Sequence, residues 1–222
     1  MTGKLLLGSF RYSSWSLRGW LAVRLAGLSV QEEIIPLKGG GKTDEIHRRS
    51  PNRLVPYLEH DGARVWESLA ICLYCAELEP SLLPSERKAR AHAYSISAQM
   101  HAGFRSLRQI CPMDIGRVPA YPLNLTEEQE AGLHADLALL GSTLFQALTR
   151  TGRVTPYLFG DRFGIADCMY APVMLRIRQY ALETLLPAEV VEWCERGLAH
   201  PLMLEWTERA LAEPEEWRLS YG

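Results

Sequence analysis

The sequence predicts a small α/β domain followed by an all-helical one. Two observations carry this reading. Up to Glu79, short strand-like runs alternate with helical patterns in the order β-α-β, then α-β-β-α. Beyond Pro80 and Pro84 the apolar spacing is helical only. The two prolines mark a linker, so the expected domains are residues 1–80 and 86–222.

The elements follow in order. Residues 4–8 read as a buried strand, and Ser14–Ala26 as a helix in which Trp15, Leu17, Trp20, Leu21, Val23 and Leu25 recur at broadly helical spacing before Gly27. Glu32–Ile35 is a second strand stopped by Pro36, and residues 38–42 are a glycine-rich loop. Thr43-Asp44-Glu45 opens a short helix that Ser50-Pro51-Asn52 breaks. Val55–Glu59 is a strand with Pro at its start, where ladder pairing is ruled out and a cis bond is allowed. His60-Asp61-Gly62 turns the chain into a returning strand, Ala63–Trp66, and Glu67-Ser68 leads into a helix over Leu69–Leu78. In the second domain Glu86–Ile110 reads as one long helix and residues 111–125 as a loop with three prolines. Thr126–Leu148 is a second long helix opened by the capping box Thr126/Gln129. Gly164–Arg178, Ala188–Leu198 and Pro201–Leu211 are shorter helices, the first with Asp167 as the acid of its opening turn.

Composition bounds the function. The chain has 222 residues, 47% of them hydrophobic, enough for one or two packed domains. A net charge of −2 gives no electrostatic footprint for nucleic acid or an acidic membrane surface. No apolar run approaches the roughly 20 residues that span a bilayer, and Met1 leads straight into a strand-like run with no secretory signal. Five cysteines, an odd number, suit a reducing compartment, so a cytoplasmic protein is expected. Cys72 and Cys75 form a CxxC, but inside a helix rather than at the mouth of the first one, and read as core thiols. The histidines have no metal-ligand spacing, and the three consecutive glycines lack the setting of a nucleotide site.

The first helix opens at Ser13 and Ser14. A hydroxyl there lies beside unpaired amides and the positive end of the helix dipole, so an anion held at this place is stabilised. The same residue type is also the commonest N-cap, and the sequence alone leaves both uses open. In a β-α-β, β-β-α unit the starts of the first helix, the Pro-led strand and the last helix share one end of the sheet. Ser13, Val55-Pro56 and Glu67-Ser68 are therefore expected to face one cleft. A free strand start at Val55 can pair with an extended peptide. Ser68 caps a helix whose first amides favour a carboxylate, and Glu67 offers a partner for an ammonium. Amine, carboxylate, peptide backbone and a terminal thiol together describe a small peptide such as glutathione.

The segments YSSWSLR, RLVPYLEHDG and WESLAI resemble the glutathione transferase family, whose fold is a thioredoxin-like domain followed by a helical one. RFGIADCMYAP is similar to that family's second-domain signature, and MHAGFRSLR to long-helix sequences of its bacterial members. The Ser-Ser-x-Ser turn is closest to the zeta class, with Trp15 standing where zeta members usually carry Cys. The resemblance implies glutathione as co-substrate, with Ser13 hydrogen-bonding its sulfur and Ser14 assisting. It implies Val55, beside a cis-Pro56, pairing with the cysteinyl part, Glu67 and Ser68 holding the γ-glutamyl end, and Lys42 at the glycyl carboxylate, although Lys42 equally suits a solvated loop lysine. A small electrophile would lie against the long helix, near Met100, Phe104 and Arg108, with Arg11 and Arg176 as further candidates; an acidic acceptor is favoured if two of the arginines reach the cleft, whereas each arginine singly is more commonly a surface or ion-pair residue. Met100, Phe104 and Leu107 equally suit plain core.

The resemblance implies a homodimer. Three activities are open: a transferase, a zeta-like isomerase of the maleylacetoacetate type, and a non-enzymatic regulator on the same fold. The physics suits the first two. A thiol of pKa about 8.5 is only a few per cent ionised at pH 7, and lowering it by about two units takes roughly 2.7 kcal/mol. A charge-assisted hydrogen bond and a helix terminus supply that much.

Overall fold

Strand β1 (Gly3–Gly8) carries Leu5, Leu6 and Leu7, all fully buried. A strand apolar on both faces needs cover on both. In the computed structural model, which describes residues 3–41, 43–120 and 123–219, it lies inside a four-stranded sheet of order β2-β1-β3-β4. β2 (Val30–Ile35) pairs with β1 in parallel, and β3 (Tyr57–His60) pairs with it antiparallel. β4 (Ala63–Trp66) completes the hairpin. Leu5 and Leu7 face helices α1 (Ser14–Leu25) and α3 (Ser68–Leu78) in the main core. Leu6 faces the other way, onto Ile35, Tyr57 and Ile46 of α2 (Asp44–Arg49). β3 starts at Tyr57, two residues later than the sequence suggests, because Pro56 has no N–H to give the ladder.

The rest is helical: α4 (Arg87–Ala102), α5 (Arg105–Ile110), α6 (Glu127–Thr149), α7 (Ile165–Gln179), α8 (Ala188–Leu198) and α9 (Pro201–Leu211). The capping box at Thr126 and Gln129 forms. α7 is the axis of this half. Every residue of it except Arg178 is buried, and it packs against α1, α4 and α8.

The single helix expected over residues 86–110 is instead two. The chain leaves α4 at Gly103, and Phe104 takes a left-handed conformation (φ 55°) before α5 starts. The broken ends are satisfied from elsewhere. The Asp136 carboxylate, from α6, accepts the Leu107 N–H at 2.9 Å. Arg108 donates to the carbonyls of Gly103 (3.2 Å) and His101 (3.4 Å). A local pattern carries no sign of a cap that lies 29 residues away.

Asp167 ties three segments together. One carboxylate oxygen accepts the Leu158 N–H (3.1 Å) and the Trp193 indole N–H (2.8 Å), and the other accepts the Gly164 N–H (2.9 Å). Burial pushes its carboxyl up to about 6, although each of these donors pulls it down. Between the ordinary carboxyl range and pH 6 the folded chain holds a proton that the unfolded chain has released. This group's contribution to stability therefore declines as pH rises through that window. Asp167→Ala leaves three donors unpaired and is expected to cost about 3–5 kcal/mol, read as a lower urea midpoint at unchanged m-value.

Candidate functional site

The turn after β1 sets the site. Gly8 ends the strand where a Cβ would lie 2.8 Å from Leu37 and 3.2 Å from the Ser13 Cβ. A side chain at this position would have to push Leu37 and the Ser13 turn aside. Ser13 then caps α1: its hydroxyl oxygen accepts the Ser16 N–H at 3.3 Å. It also donates to the Ser16 hydroxyl at 2.7 Å, which itself accepts the Gly8 N–H at 2.9 Å. The cap is one of the two uses that the sequence left open, and the capping residue also lines a cavity.

That cavity, of about 280 Å³, is bounded by Tyr12, Ser13, Ser14, the glycines 39–41, His47, Arg53 and Leu219. A second, of about 220 Å³, is bounded by Asn52, Pro56, Glu67, Ser68 and His101. Trp15, Leu54 and Val55 line both, so the two form one elongated cleft across the end of the sheet. Gly19 makes the junction possible. A Cβ there would sit 2.8 Å from Cγ of Pro56, so the bare face of α1 receives the ring. The Val55–Pro56 bond is cis, and the Val55 N–H and C=O find no partner among the described residues.

At the far end Glu67 holds a left-handed conformation (φ 69°), unusual for a residue with a side chain and a mark of sites where geometry serves a ligand. Asn52 orients it, donating to one Glu67 oxygen at 3.0 Å. The other oxygen lies 3.7 Å from Nε2 of His101 on α4. Ser68, 1% exposed, has a buried hydroxyl with no partner among the described residues. A buried hydroxyl of that kind keeps its full capacity to donate and accept a hydrogen bond. The cleft is thus polarised: the Arg53 guanidinium at one end and a carboxylate beside helix amides at the other.

The structure brings Ser13, Ser14, Val55, Pro56, Glu67 and Ser68 to this cleft. Lys42 lies outside the described residues, between two that line it, Gly41 and Thr43. The residues expected to meet an acceptor do not line either cavity. Met100 and Phe104 are buried core. Arg11 is buried with its guanidinium on the carbonyls of Ile115 and Ala210. Arg176 is spent on the carbonyls of Cys111 (2.8 Å) and Pro172 (3.3 Å). Arg108 stands one layer back, its guanidinium 4.8 Å over the Trp15 ring.

Ser16, Asn52 and His101 also belong to the site. In the sequence Asn52 reads as part of a helix break, and His101 is one more histidine without ligand spacing. Only the spacing Ser13-x-x-Ser16, a cap facing its own third residue, could have flagged the hydroxyl pair.

Gly19→Ala separates packing from propensity. Alanine is the better helix former by about 1 kcal/mol, yet the clash with a rigid ring is expected to cost about 1–3 kcal/mol. A net loss of stability in urea melts is the expected outcome.

Comparison with known proteins adds a separate line. Residues 12–78 match the model of the glutathione S-transferase N-terminal domain, and residues 124–209 that of the C-terminal domain. The chain is 30% identical to glutathione S-transferase 1 of Dianthus caryophyllus over 78% of its own length and 77% of that protein's. It is 29% identical to maleylacetoacetate isomerase of Rattus norvegicus over 82% of each. Among solved structures it superposes on a glutathione transferase homolog from Burkholderia gl BGR1 with bound glutathione. There the TM-score is 0.69 at 22% identity, covering 96% of this chain and 100% of the other.

Proposed function

The chain belongs to the glutathione S-transferase family, and on that premise we propose that its cleft binds glutathione and presents the thiolate to a small electrophile. The observation that carries this is the lining of one continuous groove by Ser13, by Val55, whose main chain has no partner among the described residues, and by Ser68, whose hydroxyl has none among them either. An extended γ-glutamyl tripeptide has the matching groups in the matching order. Its γ-glutamyl carboxylate meets Ser68 and the first amides of α3, and its ammonium meets Glu67. Its cysteinyl amide pairs with Val55 as an added strand. Its glycyl carboxylate reaches the end lined by Arg53 and His47, with Lys42 as a further cation.

The hydroxyl pair then supplies the activation. When a sulfur arrives, the Ser13 O–H turns from Ser16 to the sulfur, and the Ser16 O–H turns to the oxygen of Ser13. Each bond polarises the next, which strengthens the donor facing the charge. The thiol proton leaves to water, and Ser13 acts as a donor rather than a base. Residues 1–80 hold glutathione, and residues 86–222 complete the acceptor side. Isomerisation of a cis double bond is the second reading, favoured by the Ser13-Ser14-x-Ser16 turn and the likeness to the rat isomerase.

Ser13→Ala is expected to lower kcat/KM at neutral pH by about 10²-fold with little change in glutathione affinity. The deficit should shrink above pH 9, where an unassisted thiol ionises by itself. Equal activity of wild type and variant at pH 7 under saturating glutathione would remove Ser13 from this role. Turnover of a cis-configured diketo acid, absent or present, then separates transferase from isomerase. A chain that shows no thermal shift with glutathione would belong with the non-enzymatic readings.

The proposal extends to a homodimer and to a reducing, cytoplasmic setting. All five cysteines are free and buried, as a reducing compartment allows. Among the described residues no helix is long and apolar enough to cross a membrane. An apolar groove of about 620 Å³ between α3, the linker and α4, lined by Leu69, Leu73, Leu83 and Tyr94, is the face offered for pairing. Light scattering is expected to return twice the 25.1 kDa of one chain.

A further inference from the structure

Behind the cleft lies a cluster of positive charge with no acid in it. Arg18 follows Ser14 by one turn of α1 and is fully buried. Its Nε donates to the Met169 carbonyl at 2.7 Å, but Nη1 and Nη2 are buried without a partner among the described residues. Its guanidinium lies 4.2 Å from the centre of the Trp15 ring, and that of Arg108 lies 4.8 Å from the same ring. Arg176, also buried, adds a third charge. Burial, then Arg176, then Arg108 push the ionisation of Arg18 down, and the groups that push the other way are Cys72 and Tyr170, both neutral at pH 7. A buried guanidinium stays protonated at that pH. It is a charge without a counter-ion in a medium that screens poorly.

Trp15 forms the wall between this cluster and the cleft, lining both cavities on one side and meeting Arg18 and Arg108. On the cleft side stand His47, Arg53, His101 and one carboxylate, Glu67, at the end away from Ser13. We infer that Arg18, seconded by Arg108 and Arg176, acts through the Trp15 wall as a positioning charge that stabilises the thiolate form of glutathione bound at Ser13. The inference rests on the glutathione reading above. No bond to the sulfur is needed. An anion formed in the cleft relieves an uncompensated cation, and by linkage the cation favours the anion equally. Removing an unpaired buried charge for an apolar side chain of similar length is neutral or stabilising for the fold.

The test titrates the ultraviolet thiolate band of glutathione bound to the full-length protein. Arg18→Met is expected to raise the apparent pKa of the bound thiol by about one unit, a tenfold loss of thiolate near pH 6. The melting temperature should stay equal or rise, and activity should return at high pH. Arg108→Gln, which keeps a donor for the α4 carbonyls, should shift the titration the same way by less, and it carries the test alone if Arg18→Met does not fold. Unchanged titration in the folded variants overturns the inference, and a lowered melting temperature with unchanged titration marks Arg18 as a structural residue. A wild type that binds no glutathione, or shows no thiolate band, instead defeats the glutathione reading itself.

Discussion

Helix α1 is enclosed, and this enclosure governs the architecture. Eight of its residues, Ser16 to Val23, are buried, including Arg18 and Gly19. One side rests on Leu5 and Leu7 of the sheet, another on α3, and a third on α7 of the helical half. Trp20 illustrates how closely the parts are fitted: it packs on Trp206 of α9, and its indole N–H reaches Glu32 of β2 at 2.7 Å. Burial on three sides fixes the axial position of α1, and with it the place of its first turn. The chemistry attributed to Ser13 therefore depends on the helical half as much as on the sheet that carries it.

The two halves are joined by polar contacts as well. Arg24 and Arg209 share the carboxylates of Glu32 and Glu205, with Arg24 bidentate on Glu205. Exposed pairs of this kind contribute little individually, but here four charges from three elements alternate in sign around one seam. Glu213 adds a lock on the other side, accepting the N–H groups of Phe10 and Arg11 just before the functional turn. Burial holds its carboxyl above the usual range, while those donors and Arg11 oppose that shift.

What was legible in the sequence follows from how local each cause is. Strand β1, helix α1 and the box at Thr126 announce themselves through neighbours a few residues away. The convergence of Ser13, Val55 and Ser68 was also readable, because a fold order fixes which element starts share an edge. The break at Gly103–Phe104 was not, since Asp136, the acceptor for the Leu107 N–H, comes from α6, outside the local window. The places of the arginines were not legible for a related reason. Arg11 and Arg176 look like cleft cations in a string of letters, but buried carbonyls at the ends of other segments claim them. Lone cations in sequence carry no sign of which acceptors will surround them.

The seat of Pro56 against Gly19 has a consequence for how this chain can change over time. Ring and missing side chain fill the same few cubic ångströms from opposite directions. Neither position can drift alone: a methyl at one must be answered by a smaller or displaced neighbour at the other. Substitutions at the two positions should therefore couple, each tolerated better in the company of a compensating change at the other than alone.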